Sequence, residues 1–401
     1  MSNTSKIKIL ILGILWLPYV KVSGALPQVR PDWIIVCLGI FFSGNIINNN
    51  TKSIIGTSIV LLTSISFSML YGLANLGIQF LLRDIYEIFK PIIYTLTFIY
   101  VINSKLELYR VKKILIFILY NLTLISIFAI TQYYLPGPLD FITYIYVEET
   151  QLNSFAGARV TGTMANPNDF GLLMVFGLAL AFYNSTINKK YKILNILLII
   201  ILLTGIIVSG SRTCFILGAI IIILYTIKFI NVRLQYSKAT VVSLIIILLG
   251  ILYISVNSQS ILIRQLELLG KLSEIKAWES RVYGVIETFK VISEHWIIGH
   301  GPAKEEFIGG NIDNEYIVIL FRYGIIGLIM HMLYIYSIVK KNVFFSERKF
   351  IFQNNEIGYL LFVLLLSSAL FAYTAGIFLS FRLFPFFIVI FGLTTFERDC
   401  K

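Results

Sequence analysis

Residues 193–229 read ILNILLIIILLTGIIVSGSRTCFILGAIIIILYTIKF, which is two long apolar runs on either side of the short turn SGSR. A membrane-spanning helix needs about 20 predominantly apolar residues, within a range of roughly 17–25. Neither run alternates apolar with polar residues, as the strands of a membrane β-barrel do. This stretch therefore predicts two consecutive transmembrane helices and an all-α integral membrane protein.

The composition of the whole chain favours the same class. Of its 401 residues 57% are hydrophobic and only 13% are charged, and the mean hydropathy is +0.84. Soluble domains carry about 25% charged residues. A bilayer accepts the excess of apolar side chains because lipid surrounds the outside of every helix. The composition thus excludes an ordinary soluble globular protein.

About twelve segments are apolar and long enough to be candidate spans, so we predict one polytopic membrane domain over residues 1–401. The candidates are 7–22, 33–47, 54–71, 86–102, 114–133, 170–183, 193–208, 214–229, 241–256, 316–339, 358–379 and 383–396. The basic start and the apolar stretch after it predict a first helix retained as a signal anchor, rather than a cleaved signal peptide.

The distribution of positive charge predicts the topology. A formal net charge of +12 would indicate a nucleic-acid partner in a soluble protein. With the N-terminus inside, most of the 33 lysines and arginines fall on inner segments. Basic residues concentrate on the cytoplasmic side of membrane proteins. We therefore predict that both termini are cytoplasmic and that the partner of this surface is the lipid bilayer, not nucleic acid.

Two outer segments are long: 135–168, and 257–312 between predicted spans 9 and 10. In the second, Val282, Val285, Ile286 and Phe289 recur at helical spacing, which predicts amphipathic helices. Two interpretations stay open, because such helices either lie in the membrane interface or simply cap the membrane domain.

One predicted helix start at the outer face lies in GARVTGTMANPNDFGLLM, residues 157–174. Asn166 is a good N-cap and Pro167 suits the first helical turn. Helix N-termini attract anions, and Arg159 lies just before this one. The pattern fits either a plain capped helix or an anion site, for which Asn168 is a further candidate residue.

Two more outer starts carry charged residues. Arg212 follows a turn so short that it lies at the membrane boundary, which is costly unless it reaches water or meets an anion. Asp313, Asn314 and Glu315 open predicted span 10. Arg322 lies nine residues further in, about 13 Å at 1.5 Å per residue. At that depth Arg322 indicates a functional site, the alternative being an internal salt bridge with Asp313 or Glu315.

Together, Arg159, Arg212 and Arg281, joined by Arg322 and Arg382, predict an anion site at the outer face. Guanidinium groups bind phosphate through bidentate, charge-assisted hydrogen bonds. A lipid phosphate or diphosphate is the anion that most directly reaches such a site.

The remaining reactive residue types show no further site. His331 lies deep in predicted span 10 and is interpreted as a core residue, whereas His295 and His300 are interpreted as surface residues of the outer loop. The cysteines have no metal-ligand or disulfide spacing. We predict neither a metal nor a cofactor.

In layout and motifs the chain resembles the O-antigen ligase and polymerase superfamily, which includes the Wzy-type bacterial polysaccharide polymerases. The likeness rests on Arg159 with TGTMANPNDFG (161–171), SGSR (209–212), Arg281, GHGP (299–302) and DNEYIVILFRYGIIG (313–327), with a large outer loop late in the sequence.

This resemblance implies a glycosyltransferase of the bacterial inner (plasma) membrane, with a polyprenyl-diphosphate-linked oligosaccharide as substrate. A growing O-antigen or capsule glycan would pass from the diphosphate to an incoming lipid-linked repeat unit. The resemblance implies that Arg159, Arg212 and Arg281 bind the diphosphate. We predict further substrate-binding residues, namely Asn166, Asn168, Asn314 and Arg322. For catalysis we predict Arg281, with Asp313 or Glu315 as the acceptor of the hydroxyl proton. Family ligases have a histidine where this chain has Asp313, which favours a polymerase.

Two other functions fit the same pattern. A ligase would transfer a finished glycan once, so product length distinguishes it from a polymerase. A flippase or transporter of lipid-linked oligosaccharides would need a path that is open to both sides. Under the polymerase hypothesis, a chain-length regulator and a flippase are expected partners.

Overall fold

The computed structural model describes residues 2–20, 30–41, 49–80, 82–147, 159–231, 276–302, 313–343 and 356–395. In these ranges the chain is mainly helical, and the all-α class is confirmed. The helices are α1 (Asn3–Trp16), α2 (Pro31–Phe41), α3 (Asn49–Leu76), α4 (Leu82–Ile102), α5 (Leu108–Tyr134), α6 (Pro136–Tyr146), α7 (Pro167–Ile187), α8 (Lys192–Val208), α9 (Arg212–Asn231), α10 (Lys276–Glu294), α11 (Glu315–Val343), α12 (Glu356–Ala372) and α13 (Leu383–Thr395).

Six of the described helices are long and apolar enough to cross a membrane. The segments that meet this criterion are Thr51–Leu76, Leu108–Tyr134, Pro167–Ile187, Lys189–Val208, Arg212–Phe229 and Glu315–Lys340. Shorter apolar helices include α2, α12 and α13. The chain is a helical, multi-pass membrane protein, and the count of twelve spans stays a prediction. Predicted span 9 (241–256), like much of the loop 257–312, lies outside the described residues.

Most predicted spans on described residues agree with helices to within a few residues. The first span was predicted over 7–22, but α1 ends at Trp16. The eleventh is also shorter than predicted. It was expected over 358–379, whereas α12 ends at Ala372. The amides of Ile377, Phe378 and Leu379 donate to the carboxylate of Glu315. These amides are therefore unavailable for a continuing helix, and no local sequence pattern announces that long-range partner.

The chain divides into two compact units. Unit 1 comprises residues 1–114, 276–345 and 372–401, and unit 2 comprises residues 115–275 and 346–371. Each unit is described by itself.

In unit 1, α3 and α11 are antiparallel neighbours. Ser68 near the end of α3 donates to the carbonyl of Arg322 near the start of α11. Thr57, nearer the start of α3, contacts Ser337, nearer the end of α11. In contrast, α4 and α11 run in the same direction. Glu87 pairs with Arg322 near the start of both helices, and Thr95 contacts Tyr334 further along both. These relative directions are those that alternating spans require.

The helix α11 is broken at Gly324, whose φ of 63° and ψ of −171° interrupt the helical path. A Cβ at this position would collide with the backbone of Ile297. Glycine is required here because only it tolerates both the left-handed φ and this close approach. The segment that approaches is the turn 296–301, which contains the first three residues of the GHGP motif.

This turn satisfies backbone groups that the break leaves without helical partners. The amides of His300 and Gly301 donate to the carbonyls of Phe321 and Arg322, at 3.1 and 2.7 Å. Beyond the break, the amide of Ile325 donates to a carbonyl of the same turn at 2.8 Å. Irregular backbone at membrane depth is tolerated where protein groups pair with it.

In unit 2, α7 is the central helix. Every side chain from Phe170 to Asn184 is buried, as expected for a helix that is apolar all round. It packs closely on α8 at Gly177, where a Cβ would lie 2.7 Å from Leu202. It packs equally closely on the start of α9 at Gly171.

Candidate functional site

The predicted helix start at Asn166 is confirmed. The side chain of Asn166 accepts a hydrogen bond from the amide of Asn168 at 2.8 Å, and Pro167 is the first residue of α7. Asp169 lies in the first turn, where an acidic side chain suits the positive end of the helix dipole.

Arg159 connects this helix start to the turn before α9. Its Nη2 donates to Oδ1 of Asn168 at 2.6 Å, and its Nε donates to the carbonyl of Ser209 at 3.2 Å. The guanidinium is thereby held in one orientation between two helix N-termini. The two motifs that carry Arg159 and Arg212 in the sequence are neighbours in unit 2.

The turn of residues 209–211 is shaped around Arg159. Gly210 has a φ of 63°, and a Cβ there would lie 2.7 Å from Cγ of Arg159. The hydroxyl of Ser209 accepts from the amide of Ser211 at 3.2 Å. Arg212 follows as the first residue of α9, half-buried.

Small polar side chains complete the surroundings of Arg159. Thr161, Ser209 and Ser211 are buried. The hydroxyl oxygen of Thr161 has no hydrogen-bond partner among the described residues. Two adjacent helix N-termini, a held guanidinium and buried hydroxyls form an environment that favours an anion.

In unit 1, the second group of candidate residues opens α11. Asn314 accepts from the amide of Ile317 at 3.2 Å and so caps the helix. Glu315 is buried, and its two carboxylate oxygens accept from the amides of residues 377–379 at 2.6–3.0 Å. The side chain of Asp313 is half-buried and has a polar partner.

Arg322 forms an ion pair, with a partner that the sequence did not indicate. Its Nη1 lies 3.4 Å from Oε1 of Glu87 on α4, and the same oxygen is 2.6 Å from Nζ of Lys90. The alternative interpretation from the sequence was a salt bridge between Arg322 and either Asp313 or Glu315. Both choices were wrong because the true partner comes from another helix.

Arg382 serves a structural role at the end of α1, so its expected place in an anion site is corrected. Its guanidinium donates to the carbonyls of Ile14, Leu15 and Leu17 at 2.8–3.2 Å. These are carbonyls at the C-terminal end of a helix, which a buried cation satisfies.

Arg281 lies in α10, in unit 1, and its side chain falls outside the described part of the structure. Its proposed contact with the diphosphate therefore stays a prediction. The helix expected around it is confirmed, but its apolar stripe is not buried as a whole. Among its described side chains Thr288 and Ile292 are buried, whereas Ile286 and Phe289 are exposed.

The histidines differ from each other in setting. His331 is buried and its Nδ1 lies 2.8 Å from the carbonyl of Gly327, which confirms the core interpretation. His300 is also buried, with its ring stacked on that of Phe321 at 4.7 Å, so its interpretation as a surface residue was wrong. Burial lowers the pKa of His300 below its ordinary value of 6.5, although its bond to the Phe321 carbonyl opposes this.

Among the described residues, no group of three or more His, Cys, Asp or Glu side chains could hold a metal ion. The arranged groups are arginines, hydroxyls and helix N-termini, which are chemically suited to an anion.

One known family matches part of the chain that carries these residues. A family described as O-antigen ligase matches residues 197–332. Over these residues the chain is similar to the O-antigen ligase family. A search of curated proteins finds no match to the chain.

The O-antigen ligase segment begins inside α8 and ends inside α11. It therefore contains Arg212, Arg281, the GHGP turn and the broken helix with Arg322. Arg159, Asn166 and Asn168 precede the segment, and the hydrogen bond between Arg159 and Ser209 joins them to it. The resemblance stated from motifs is confirmed at the level of the superfamily.

Sequence reasoning missed Glu87 and Lys90 of unit 1. The available signal was the presence of two ionisable residues three positions apart within predicted span 86–102. Ionisable residues inside a span are expensive and usually functional, so their presence alone justified including them.

Proposed function

We propose that the protein is a polysaccharide polymerase of the bacterial inner (plasma) membrane. It transfers a growing glycan from polyprenyl diphosphate to an incoming lipid-linked repeat unit at the outer face, and both its termini are cytoplasmic. The observation that carries this proposal is the guanidinium of Arg159, held between two helix N-termini beside the O-antigen ligase segment.

The diphosphate of the donor is assigned to the surroundings of Arg159 and Arg212. The positive ends of the α7 and α9 helix dipoles, together with the hydroxyl of Thr161, add to the two guanidinium groups in favouring a bound anion. Asn168 orients Arg159, and Asn166 caps the helix that carries Asn168. Arg281 and Arg322 are assigned to the same lipid-linked substrates.

In the reaction, a hydroxyl oxygen of the incoming unit attacks the anomeric carbon of the growing chain. The bond between that carbon and the diphosphate oxygen breaks, and its electron pair leaves with the diphosphate. Arginines fixed in advance stabilise the developing charge without reorganising, which is the most effective form of electrostatic catalysis.

The hydroxyl proton is accepted by Asp313 in this proposal. The sequence offered Asp313 or Glu315 as the base. Glu315 already accepts three backbone amides and is buried, so its carboxylate is occupied in holding residues 377–379. Asp313 is half-buried at the start of α11 and is the better acceptor.

A single-transfer ligase is the second candidate, because the matching family is described as O-antigen ligase. It would use the same diphosphate site and the same leaving group. The aspartate at position 313 favours the polymerase over the ligase. A chain-length regulator and a flippase are proposed partners of the polymerase.

The site assignment is tested by binding of polyprenyl diphosphate to the purified protein. We expect Arg159→Ala and Arg212→Ala each to weaken binding by about ten-fold or more, since charge-assisted hydrogen bonds contribute about 1.5–3 kcal/mol. The matched control is Arg110→Ala, which removes a partly exposed arginine near the start of α5. Unchanged affinity in both site variants would refute the assignment.

A further inference from the structure

A buried network of charged residues lies within unit 1, around Glu87 on α4. Its carboxylate oxygen Oε1 is 2.6 Å from Nζ of Lys90 and 3.4 Å from Nη1 of Arg322. The side chains of Glu87 and Arg322 are each 12% exposed, and that of Lys90 is 8% exposed. Ionised groups at such depth persist only when they are paired.

The contacts form a chain that ends at the break in α11. The ammonium of Lys90 lies over the ring of Phe381, 4.5 Å from its centre, so Lys90 has a second partner besides Glu87. Lys90 makes the shorter contact with Glu87, and Glu87 in turn reaches Arg322. The backbone of Arg322 is independently fixed, because Ser68 and Gly301 both donate to its carbonyl.

A small cavity adjoins the carboxylate. Its volume is about 10 Å³, and Glu87, Lys90, His331 and Tyr334 are among its lining residues. The second oxygen of Glu87, Oε2, has no hydrogen-bond partner among the described residues. The space is close to the least that holds one water molecule. It does not hold a sugar or a phosphate.

Other charges near this network do not replace Glu87. Asp84 contributes to the field at Arg322 and Glu315 to the field at Lys90. The carboxylate of Glu315 is engaged by three backbone amides. Among the described residues, Glu87 is the carboxylate that contacts both cations.

We propose that Glu87 is a positioning residue of the transfer reaction, whose carboxylate holds the guanidinium of Arg322 ready for the lipid-linked substrate. This inference rests on the proposed function. An arginine that is already ordered loses less conformational freedom when substrate binds. Glu87 touches no reacting atom and acts only through Arg322.

The test compares steady-state kinetics of glycan transfer in reconstituted protein for Glu87→Gln, Arg322→Gln and the double variant. The Glu87→Gln substitution keeps the shape and removes the charge. We expect it to raise KM for the lipid-linked substrate about five-fold, with kcat changed less. In the Arg322→Gln background the same substitution has no further effect, because its action passes through Arg322.

The matched control is Glu356→Gln, which breaks the ion pair between Lys228 and Glu356 in unit 2 and leaves KM unchanged. If Glu87→Gln fails to fold, the double variant Glu87→Gln/Lys90→Met, which removes both charges of the pair, carries the same expectation. An unchanged KM, or equal effects with and without Arg322, would overturn the inference while wild-type transfer upholds the proposed function. Absence of transfer by the wild type with authentic substrate would overturn both.

Discussion

Arg159 donates a hydrogen bond from Nη2 to Oδ1 of Asn168, with the two atoms 2.6 Å apart. This bond ties the candidate diphosphate site to the first turn of α7. The substitution Asn168→Ala is expected to release Arg159 and to lower kcat/KM about ten-fold. This is the size of effect expected from the loss of one charge-assisted hydrogen bond. Steady-state transfer kinetics measure it.

The control for this prediction is Asn184→Ala, at the other end of α7. It removes a buried hydrogen bond with Asn195 in the same unit. We expect a loss of stability without a change in kcat/KM. Equal kinetic losses in both variants would show that Asn168 matters only for folding.

Gly210 is expected to be irreplaceable for a local reason. Alanine there meets both a φ of 63° and the side chain of Arg159, so Gly210→Ala displaces Arg159. We expect weaker binding of polyprenyl diphosphate and a loss of about 1–3 kcal/mol of stability. In contrast, Gly56→Ala, which meets no atom within 4 Å, is expected to be neutral or slightly stabilising. Similar behaviour of the two variants would contradict this reading of the turn.

Gly324→Ala tests the break in α11. The added Cβ would force the turn 296–301 away from Arg322, so we expect thermal unfolding at lower temperature and loss of transfer. Gly284→Ala in α10 has open space around the new methyl group and serves as the control. A fully active and equally stable Gly324→Ala variant would mean that the break is not needed.

Some of this arrangement was predictable because its signals are local. The residues Asn166 and Pro167 announce a helix start within two positions, and the depth of Arg322 follows from counting residues along one helix. The burial of His300 was not predictable, since it depends on a turn pairing with a break that is more than twenty residues away in the chain.

The partners of charged residues were least predictable for the same reason. Arg322 meets Glu87 from a different helix, and Arg382 meets carbonyls of α1, more than 360 residues earlier. Nothing in the residues around Arg382 separates a substrate-binding arginine from one that caps a helix.

His300 is expected to make stability depend on pH. Its pKa is lowered in the folded protein, so the unfolded chain binds the proton more readily. The contribution of neutral His300 to folding stability is therefore fully present above the unfolded pKa of about 6.5, and it is lost as pH falls below that value. Thermal unfolding between pH 7.5 and about pH 5 measures the effect.

In His300→Gln we expect a smaller fall of the unfolding temperature on acidification than in the wild type. An identical fall in both proteins would assign the pH dependence to other groups.

Asp313 and Glu315 are expected to differ sharply in their roles. If Asp313 accepts the proton, Asp313→Asn lowers kcat by about 10²–10⁴ with little loss of stability. Glu315→Gln should instead destabilise the protein, because a neutral amide has one oxygen where the carboxylate serves three amides. Measured kcat and unfolding temperature separate these outcomes, and a reversal of the two would exchange the assigned roles.

The proposed polymerisation of lipid-linked repeat units can be measured directly. The most direct measurement is to reconstitute the purified protein with lipid-linked repeat units from its own host and resolve the products by size. We expect a ladder of many repeats that is lost in Arg159→Ala and Arg212→Ala. A single transfer product of one size would identify a ligase, and unchanged substrate with folded protein would contradict glycosyl transfer altogether.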